Sequence, residues 1–103
     1  MIKTGGENVA SREVEEAVFL HPAVQEVAVV GLNHPRWVEA VAAFIKLKEG
    51  ATATEAEIME HCKKNLSSFK VPKKIIFVEA LPKTPTGKIL KRQMRESFKG
   101  IFS

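Results

Sequence analysis

The segment PKTPTGKILKR, residues 82–92, places a lysine directly after a Thr-Gly step. Glycine adopts left-handed backbone conformations at little cost, so Gly87 predicts a tight turn immediately before Lys88. We interpret Lys88 as the start of a last helix, where a cation opposes the macrodipole by a few tenths of a kcal/mol. Such a placement is favourable when an anion is held at the same helix amides. The alternative is a solvated surface lysine without a role.

The same segment is not a phosphate-binding loop of the Walker type. That loop needs a glycine five residues before its Gly-Lys step and a serine or threonine after the lysine. Pro82 occupies the first position and Ile89 the second. The segment therefore lacks the backbone cradle and the hydroxyl that such a loop supplies.

Two other groups of residues have the composition of a ligand site. The segment KTGGEN contains the Gly5–Gly6 pair, which either lets the backbone approach a ligand or simply forms a hairpin turn. Trp37 and Phe69 fall in predicted loops. Aromatic rings there either cover the core or stack on a nucleobase, and nearby lysines favour stacking. The lysines beside Phe69 are Lys70, Lys73 and Lys74.

No metal site or catalytic triad is predicted. The three histidines have no metal-ligand spacing with Cys62, and we find no Ser-His-Asp arrangement. Glu15 and Glu16 have the pattern of a solvated helix face. One cysteine cannot form an internal disulfide, which favours a reducing compartment, and we expect a cytoplasmic location.

Length and charge limit the size of the domain and the kinds of partner that suit it. The 103 residues, 45% of them hydrophobic, suffice for one small domain with a core. The net charge of +4 favours anionic partners such as nucleotides. No run approaches the ~20 apolar residues of a membrane span, and the first residues lack the apolar core of a secretory signal.

Apolar periodicity and turn chemistry predict three helices. Ser11 is placed to cap a first helix that ends at Pro22. Thr54 and Glu57 form a capping box before a second helix. A third helix begins at Lys88, with Leu90, Met94 and Phe98 along one side.

Three strands lie between these helices, at residues 24–32, 41–47 and 75–80. The predicted order is loop, α, β, β, α, β, α. We therefore expect an α+β fold: a small three-stranded sheet packed with three helices and preceded by a Gly-rich hairpin loop.

The ordered segments resemble one family across almost the whole chain. MIKTGGENVASREVEEAVFLHPAVQEVAVVGL, RWVEAVAAFIKLKEGAT and FKVPKKIIFVEALPKTPTGKILKR are similar to the C-terminal domain of the adenylate-forming (AMP-binding) superfamily. This superfamily includes acyl- and aryl-CoA synthetases, peptide-synthetase adenylation domains and luciferases. The strongest resemblance is to fatty-acyl and aryl-CoA ligases.

The resemblance implies a two-step reaction. A carboxylic acid and ATP with Mg²⁺ give an acyl-adenylate and pyrophosphate, and CoA then gives acyl-CoA and AMP. ATP and acid would be bound mainly by an N-terminal domain that, with the hinge residue, lies outside this chain. Residues 1–103 would be the mobile C-terminal domain, which takes a different pose for each step. We expect it to bind no cofactor and to be inactive when isolated.

The resemblance also assigns roles to individual residues. Lys88 matches the adenylation lysine, and Gly87 and Thr86 would present it to the adenylate. Gly5 and Gly6 match the loop that helps form the pantetheine tunnel. The residues expected to contact CoA are Lys3, Gly5, Gly6, Glu7, Asn8, Trp37, Phe69, Lys70 and Lys73.

Two positions depart from the family pattern. Val38 replaces the usual glycine after the tryptophan, and Val71 stands where some relatives carry a basic residue. Acetylation of Lys88 by a lysine acetyltransferase would remove the cation and inactivate the first step.

Two other functions fit parts of the pattern. An adenylation domain that loads a carrier-protein thiol would share most of these residues. A small nucleic-acid-binding module would account for the cations between Lys83 and Arg95, but the strands lack the paired exposed aromatics of a typical RNA-binding sheet. We therefore expect a small-molecule acid, ATP and CoA as partners, with no nucleic acid.

Overall fold

The computed structural model describes residues 1–98, 100 and 101, which form an α+β fold. Among these residues no helix has the length and apolar composition that a membrane span requires. The strands are β1 (Ile2–Thr4), β2 (Glu7–Val9), β3 (Val24–His34), β4 (Val38–Leu47) and β5 (Lys74–Phe77). The helices are α1 (Ser11–Phe19), α2 (Glu55–Asn65) and α3 (Lys91–Ser97), with a 3₁₀ turn at Ser68–Lys70.

Strand β4 is the centre of the sheet. It pairs antiparallel with β3 along its whole length, from Val24↔Leu47 to His34↔Val38. On its other edge it pairs parallel with β5 and, at Thr4↔Val38, antiparallel with β1. The three predicted strands are confirmed. The Gly-rich hairpin adds β1 and β2, so the sheet has five strands.

Both faces of β4 are buried, because its side chains alternate between two apolar clusters. Val41, Ala43 and Ile45 belong to the first cluster, with side chains from α1 and α2. Ala42 and Phe44 belong to the second, where α3 and residues 78–90 cover the sheet. Successive side chains on a strand point to opposite faces, so a strand covered on both sides needs a continuous apolar run.

Several predicted boundaries were wrong. The third helix begins at Lys91, three residues after the predicted start at Lys88. Residues 88 and 89 are not helical, and Ile89 instead forms an antiparallel bridge with Lys83. The last strand ends at Phe77 rather than Ala80.

The predicted helix caps differ in outcome. The cap at Thr54 is confirmed: its Oγ1 accepts a hydrogen bond from the Glu57 N–H at 3.1 Å. The cap at Ser11 was wrong, because Ala10 is the capping residue and Ser11 is already helical. The Ser11 hydroxyl instead accepts a hydrogen bond from Lys91 Nζ at 3.3 Å.

These caps give a first prediction. Thr54→Ala should lower the free energy of unfolding by ~1 kcal/mol, since it leaves a helix amide without its side-chain acceptor. Ser11→Ala, the matched control, should change it by less than about 0.5 kcal/mol. Urea unfolding of both variants measures the difference. Equal losses would contradict the assignment of Ala10 as the α1 cap.

Candidate functional site

Lys88 lies at the end of a tight hairpin rather than at a helix start. The Thr84 N–H donates to the Lys88 carbonyl at 2.8 Å, and the Gly87 N–H donates to the Thr84 carbonyl at 2.9 Å. These bonds close a three-residue loop of Pro85, Thr86 and Gly87. A residue in the left-handed region normally ends such a loop, and Gly87 has φ +88°. The predicted Gly turn is confirmed.

Side-chain hydroxyl groups brace the same loop. Thr84 Oγ1 accepts from the Lys88 N–H at 3.1 Å and lies 2.8 Å from Thr86 Oγ1. Lys88 itself is exposed. The backbone at Lys88 is therefore held by several hydrogen bonds while its cationic side chain extends into solvent.

The base of the hairpin rests on the second face of the sheet. The Leu90 N–H donates to the Pro82 carbonyl at 2.8 Å, beside the bridge between Lys83 and Ile89. Leu81 is buried in the second apolar cluster, and Ile89 packs against it. We call residues 82–90 the Lys88 hairpin.

Most of the residues predicted to bind CoA meet at one cleft. This cleft has a volume of about 180 Å³ and lies where β1 meets the start of β4. It is lined by Thr4, Gly5, Glu7, Trp37, Phe69 and Lys73. The tip of the β1–β2 hairpin, the Trp37 turn and the segment after α2 each contribute to it.

Trp37 is fixed on several sides. Its carbonyl accepts from the Gly5 N–H at 3.1 Å, which ties the glycine loop to the tryptophan turn. Its ring stacks on His34, with centroids 4.1 Å apart and planes 9° apart. Lys73 Nζ lies 5.1 Å from the Trp37 ring centroid, within range of a cation–π contact. An aromatic surface and a cation thus lie side by side.

The other predicted CoA residues lie outside the lining of this cleft. Lys3 and Asn8 face each other across the β1–β2 hairpin. Gly6 is at the hairpin tip with φ +86°, and a Cβ there would meet nothing within 4 Å. Lys70 Nζ forms a 2.8 Å ion pair with Glu13 on α1. The charge of Lys70 is therefore matched locally, and Lys73 is the cation at the cleft.

Val38 adopts a strained conformation beside the cleft. It is the one non-glycine residue of the described chain with positive φ, at 68°. The Glu39 N–H donates to the Trp37 carbonyl at 2.7 Å, which makes Val38 the centre of a γ-turn. The residue is 70% exposed, so packing does little to offset the strain. The sequence had marked this position only as a departure from glycine.

Cys62, His61 and His21 make their contacts within the fold. Burial raises the pKa of the Cys62 thiol to about 11, so it is protonated at neutral pH and is a poor nucleophile. His61 Nε2 lies 2.7 Å from the Ala17 carbonyl, and its ring meets His21 edge-on. Across residues 1–98, 100 and 101, no group of three or more His, Cys, Asp or Glu could hold a metal ion.

Sequence reasoning missed two carboxylates that contact the segments flanking Lys88. Glu26 on β3 pairs with Lys83, and Glu15 on α1 pairs with Lys91. Glu15 was interpreted as part of a solvated face, but its side chain is only 22% exposed. No local pattern reveals these pairs, because the partners are far apart in sequence.

The chain is similar in sequence to known proteins. Residues 13–88 match the model of the family described as AMP-binding enzyme C-terminal domain. The chain is 51% identical over 104 residues to the peroxisomal trans-cinnamate:CoA ligase of Petunia hybrida, across 99% of this chain. It is 46% identical over 98 residues to the long-chain-fatty-acid–CoA ligase FadD13 of Mycobacterium tuberculosis, across 95% of this chain.

Solved structures share the fold. A fatty acyl CoA synthetase from Mycobacterium tuberculosis superposes with a TM-score of 0.92 at 44% identity, over 98% of this chain. ATP-bound MatB from Rhodopseudomonas palustris gives a TM-score of 0.97 at 38% identity, over 100% of this chain. This chain spans 20% of each of those chains. It spans 18% of the Petunia enzyme and 19% of FadD13.

The strained turn gives a second prediction. Val38→Gly should raise the free energy of unfolding by about 1 kcal/mol, since glycine relieves the strain of a positive φ. Val38→Ala is the matched control: it also removes the exposed methyl groups but keeps Cβ, so its gain should be much smaller. Urea unfolding compares the two variants. If alanine stabilises as much as glycine, the backbone strain at Val38 is not the cause.

Proposed function

This chain belongs to the family of AMP-binding enzyme C-terminal domains, and we propose that it is the mobile C-terminal domain of an ATP-dependent acyl-CoA synthetase. The whole enzyme would convert a carboxylic acid, ATP and CoA to acyl-CoA, AMP and pyrophosphate. The observation that carries this proposal is the Lys88 hairpin, which fixes the backbone of Lys88 and leaves its ammonium group exposed. A cation so presented suits an active site whose other walls belong to another domain.

Lys88 would act electrostatically in the first step. A carboxylate attacks the α-phosphate of ATP there, so two anions must approach each other and charge develops between them. A fixed ammonium group beside both offsets that repulsion in the transition state. Thr86 and Gly87 would contribute by holding the turn that aims Lys88.

The cleft at Trp37 would serve the second step. The Gly5–Gly6 turn allows close approach of a narrow chain such as pantetheine, because it presents no side chain there. Phe69, and the side of the Trp37 ring that His34 does not cover, would offer ring surface for an adenine, and Lys73 would offer a cation for a phosphate. Lys3, Glu7, Asn8 and Lys70 would border the CoA path. Lys70 would contribute mainly through its stem, since Glu13 pairs with its charge.

ATP, its Mg²⁺ and the acid would be bound mainly by an N-terminal domain, the main partner of this chain. The acid is not specified here, since one relative is named for trans-cinnamate and another for long-chain fatty acids. We keep a cytoplasmic location as a prediction, although the Petunia relative is named peroxisomal. The exposed Lys88 would also be accessible to a lysine acetyltransferase, and acetylation would remove its charge.

A carrier-protein thiol could replace CoA as acceptor in a related enzyme. The Petunia and mycobacterial relatives are both named as CoA ligases, which favours CoA. A nucleic-acid-binding role has less support, because several cations of the basic segment are paired: Lys83 with Glu26, Lys91 with Glu15 and Arg95 with Glu39.

The third prediction tests Lys88. In this chain joined to its N-terminal domain, Lys88→Ala should lower ATP–pyrophosphate exchange by ~10²–10³, as expected for loss of a group aimed at developing charge. Thioester formation from a supplied acyl-adenylate should stay within twofold of wild type. Exchange is first measured with wild type over a panel of carboxylic acids, which also names the substrate.

The control is Lys64→Ala, which removes an exposed lysine from α2 and leaves the hairpin intact. It should leave both half-reactions unchanged. Equal losses of both half-reactions in Lys88→Ala, or exchange indifferent to Lys88, would contradict the proposed role.

The fourth prediction tests the glycine loop. Gly6→Leu should block thioester formation and leave pyrophosphate exchange largely intact, since the new side chain would fill the approach to the cleft. Gly50→Leu is a matched control, because Gly50 also has positive φ and open space around its Cβ position but lies in a remote turn. Loss of exchange with retained thioester formation in Gly6→Leu would refute the tunnel assignment.

A further inference from the structure

The direction of the Lys88 hairpin is not set by its own hydrogen bonds. The bonds from Thr84 to Lys88 and from Leu90 to Pro82 lie within the hairpin. They fix its shape but leave its orientation over the sheet to outside contacts. Leu81 and Ile89 supply apolar packing, which is non-directional and tolerates rocking.

Glu26 anchors the first leg of the hairpin. This residue lies on β3 opposite Lys46, and its carboxylate pairs with Lys83. Lys46 Nζ approaches the other carboxylate oxygen at 3.9 Å. The side chain of Glu26 is 24% exposed, so the pair is partly shielded from water.

Glu15 anchors the segment that follows the second leg. Its Oε2 accepts from the Val29 N–H at 2.8 Å on the free edge of β3. Lys91 Nζ reaches the same oxygen at 2.8 Å and also donates to Ser11 Oγ. Lys91 is the first residue of α3, which packs on the second face of the sheet, whereas α1 packs on the first face. The contact therefore links both layers around the edge of the sheet.

We propose that Glu26 and Glu15 are positioning residues for Lys88, an inference that rests on the proposed adenylation role of that lysine. Each carboxylate holds one flank of the hairpin through a directional, charge-assisted contact. Two such contacts, on Lys83 and Lys91, restrict rocking about the apolar contacts at Leu81 and Ile89. Lys88 is then held at a fixed height and direction above the sheet.

This positioning should matter in only one half-reaction. A displacement of about 1 Å in a catalytic group can lower a rate ~10²-fold, so loosening the hairpin should slow adenylate formation. The CoA cleft is built from β1, the Trp37 turn and Phe69. None of these takes part in the ion pair between Glu26 and Lys83. Thioester formation should therefore be spared.

The test uses Glu15→Gln and Glu26→Gln, singly and together, in this chain joined to its N-terminal domain. Glutamine keeps the size of the side chain and an acceptor for the Val29 amide, and removes only the charge that holds the lysine. The double variant should lower kcat of pyrophosphate exchange about tenfold, as partial misplacement predicts. The KM for ATP and the rate of thioester formation from acyl-adenylate should stay within twofold of wild type.

Glu55→Gln is the matched control. Glu55 Oε2 also accepts from a strand amide, that of Ile75 at 3.1 Å, and also pairs with a lysine, Lys74. It does so at β5, away from the Lys88 hairpin. Lys83→Met with Lys91→Met breaks the same two anchors from the other side, so it should slow exchange as much as the glutamine double variant does. It keeps the test decisive if the glutamine changes perturb folding.

An independent measurement on the 103-residue chain reports the orientation directly. Residual dipolar couplings of the Thr84, Gly87 and Ile89 amides should be reduced relative to those of β4 in the glutamine double variant. Glu55→Gln should leave them unchanged. Unaltered couplings at the hairpin in the double variant would overturn the anchoring.

The kinetic outcomes separate this inference from the proposed function. Exchange that collapses in Lys88→Ala but is normal in the glutamine double variant overturns the positioning role alone. Exchange that survives Lys88→Ala overturns the proposed function, and the positioning role with it. Equal losses in both half-reactions of the double variant would assign Glu15 and Glu26 to general stability instead.

Discussion

The burial of β4 on both faces is the constraint on which the rest of the structure depends. Five consecutive residues, 41–45, are each no more than 1% exposed, which requires a layer on either side. Helices α1 and α2 supply one layer. The other consists of α3 and the segment before it, including the Lys88 hairpin. The hairpin is therefore part of the cover of the core, and its position follows from packing as well as from its own turn chemistry.

The two candidate sites occupy different parts of this layered structure. The cleft at Trp37 forms at the start of β4, where the β1–β2 hairpin joins the sheet. The Lys88 hairpin is held over the second face, against Leu81 and Ile89. Under the proposed function the domain would serve two successive half-reactions from these two separate places, so it would have to turn between them. Backbone hydrogen bonds are present at both places.

Half-buried carboxylates connect the layers at the sheet edges. Glu15 accepts from an amide on the free edge of β3 and Glu55 from one on the free edge of β5, so each outer strand is partly protected by the neighbouring helix. Each also attracts a lysine from another element. Partly exposed ion pairs add little stability, about 0–1 kcal/mol each. We expect them instead to orient the segments that they join, because a charged pair fixes an orientation that apolar packing leaves free.

The sequence by itself determined what depends on neighbouring residues. Alternation and β-branched runs located β3, β4 and β5, Thr54 specified its cap, and Gly87 specified the turn before Lys88. Segment order alone pointed to the family. Tertiary structure decided the rest: the addition of β1 and β2 to the sheet, the start of α3 at Lys91, and the partners of Glu15 and Glu26. Local signals encode periodicity and turn geometry over a few residues. Pairings between distant residues depend on how the layers stack, which no single stretch of sequence records.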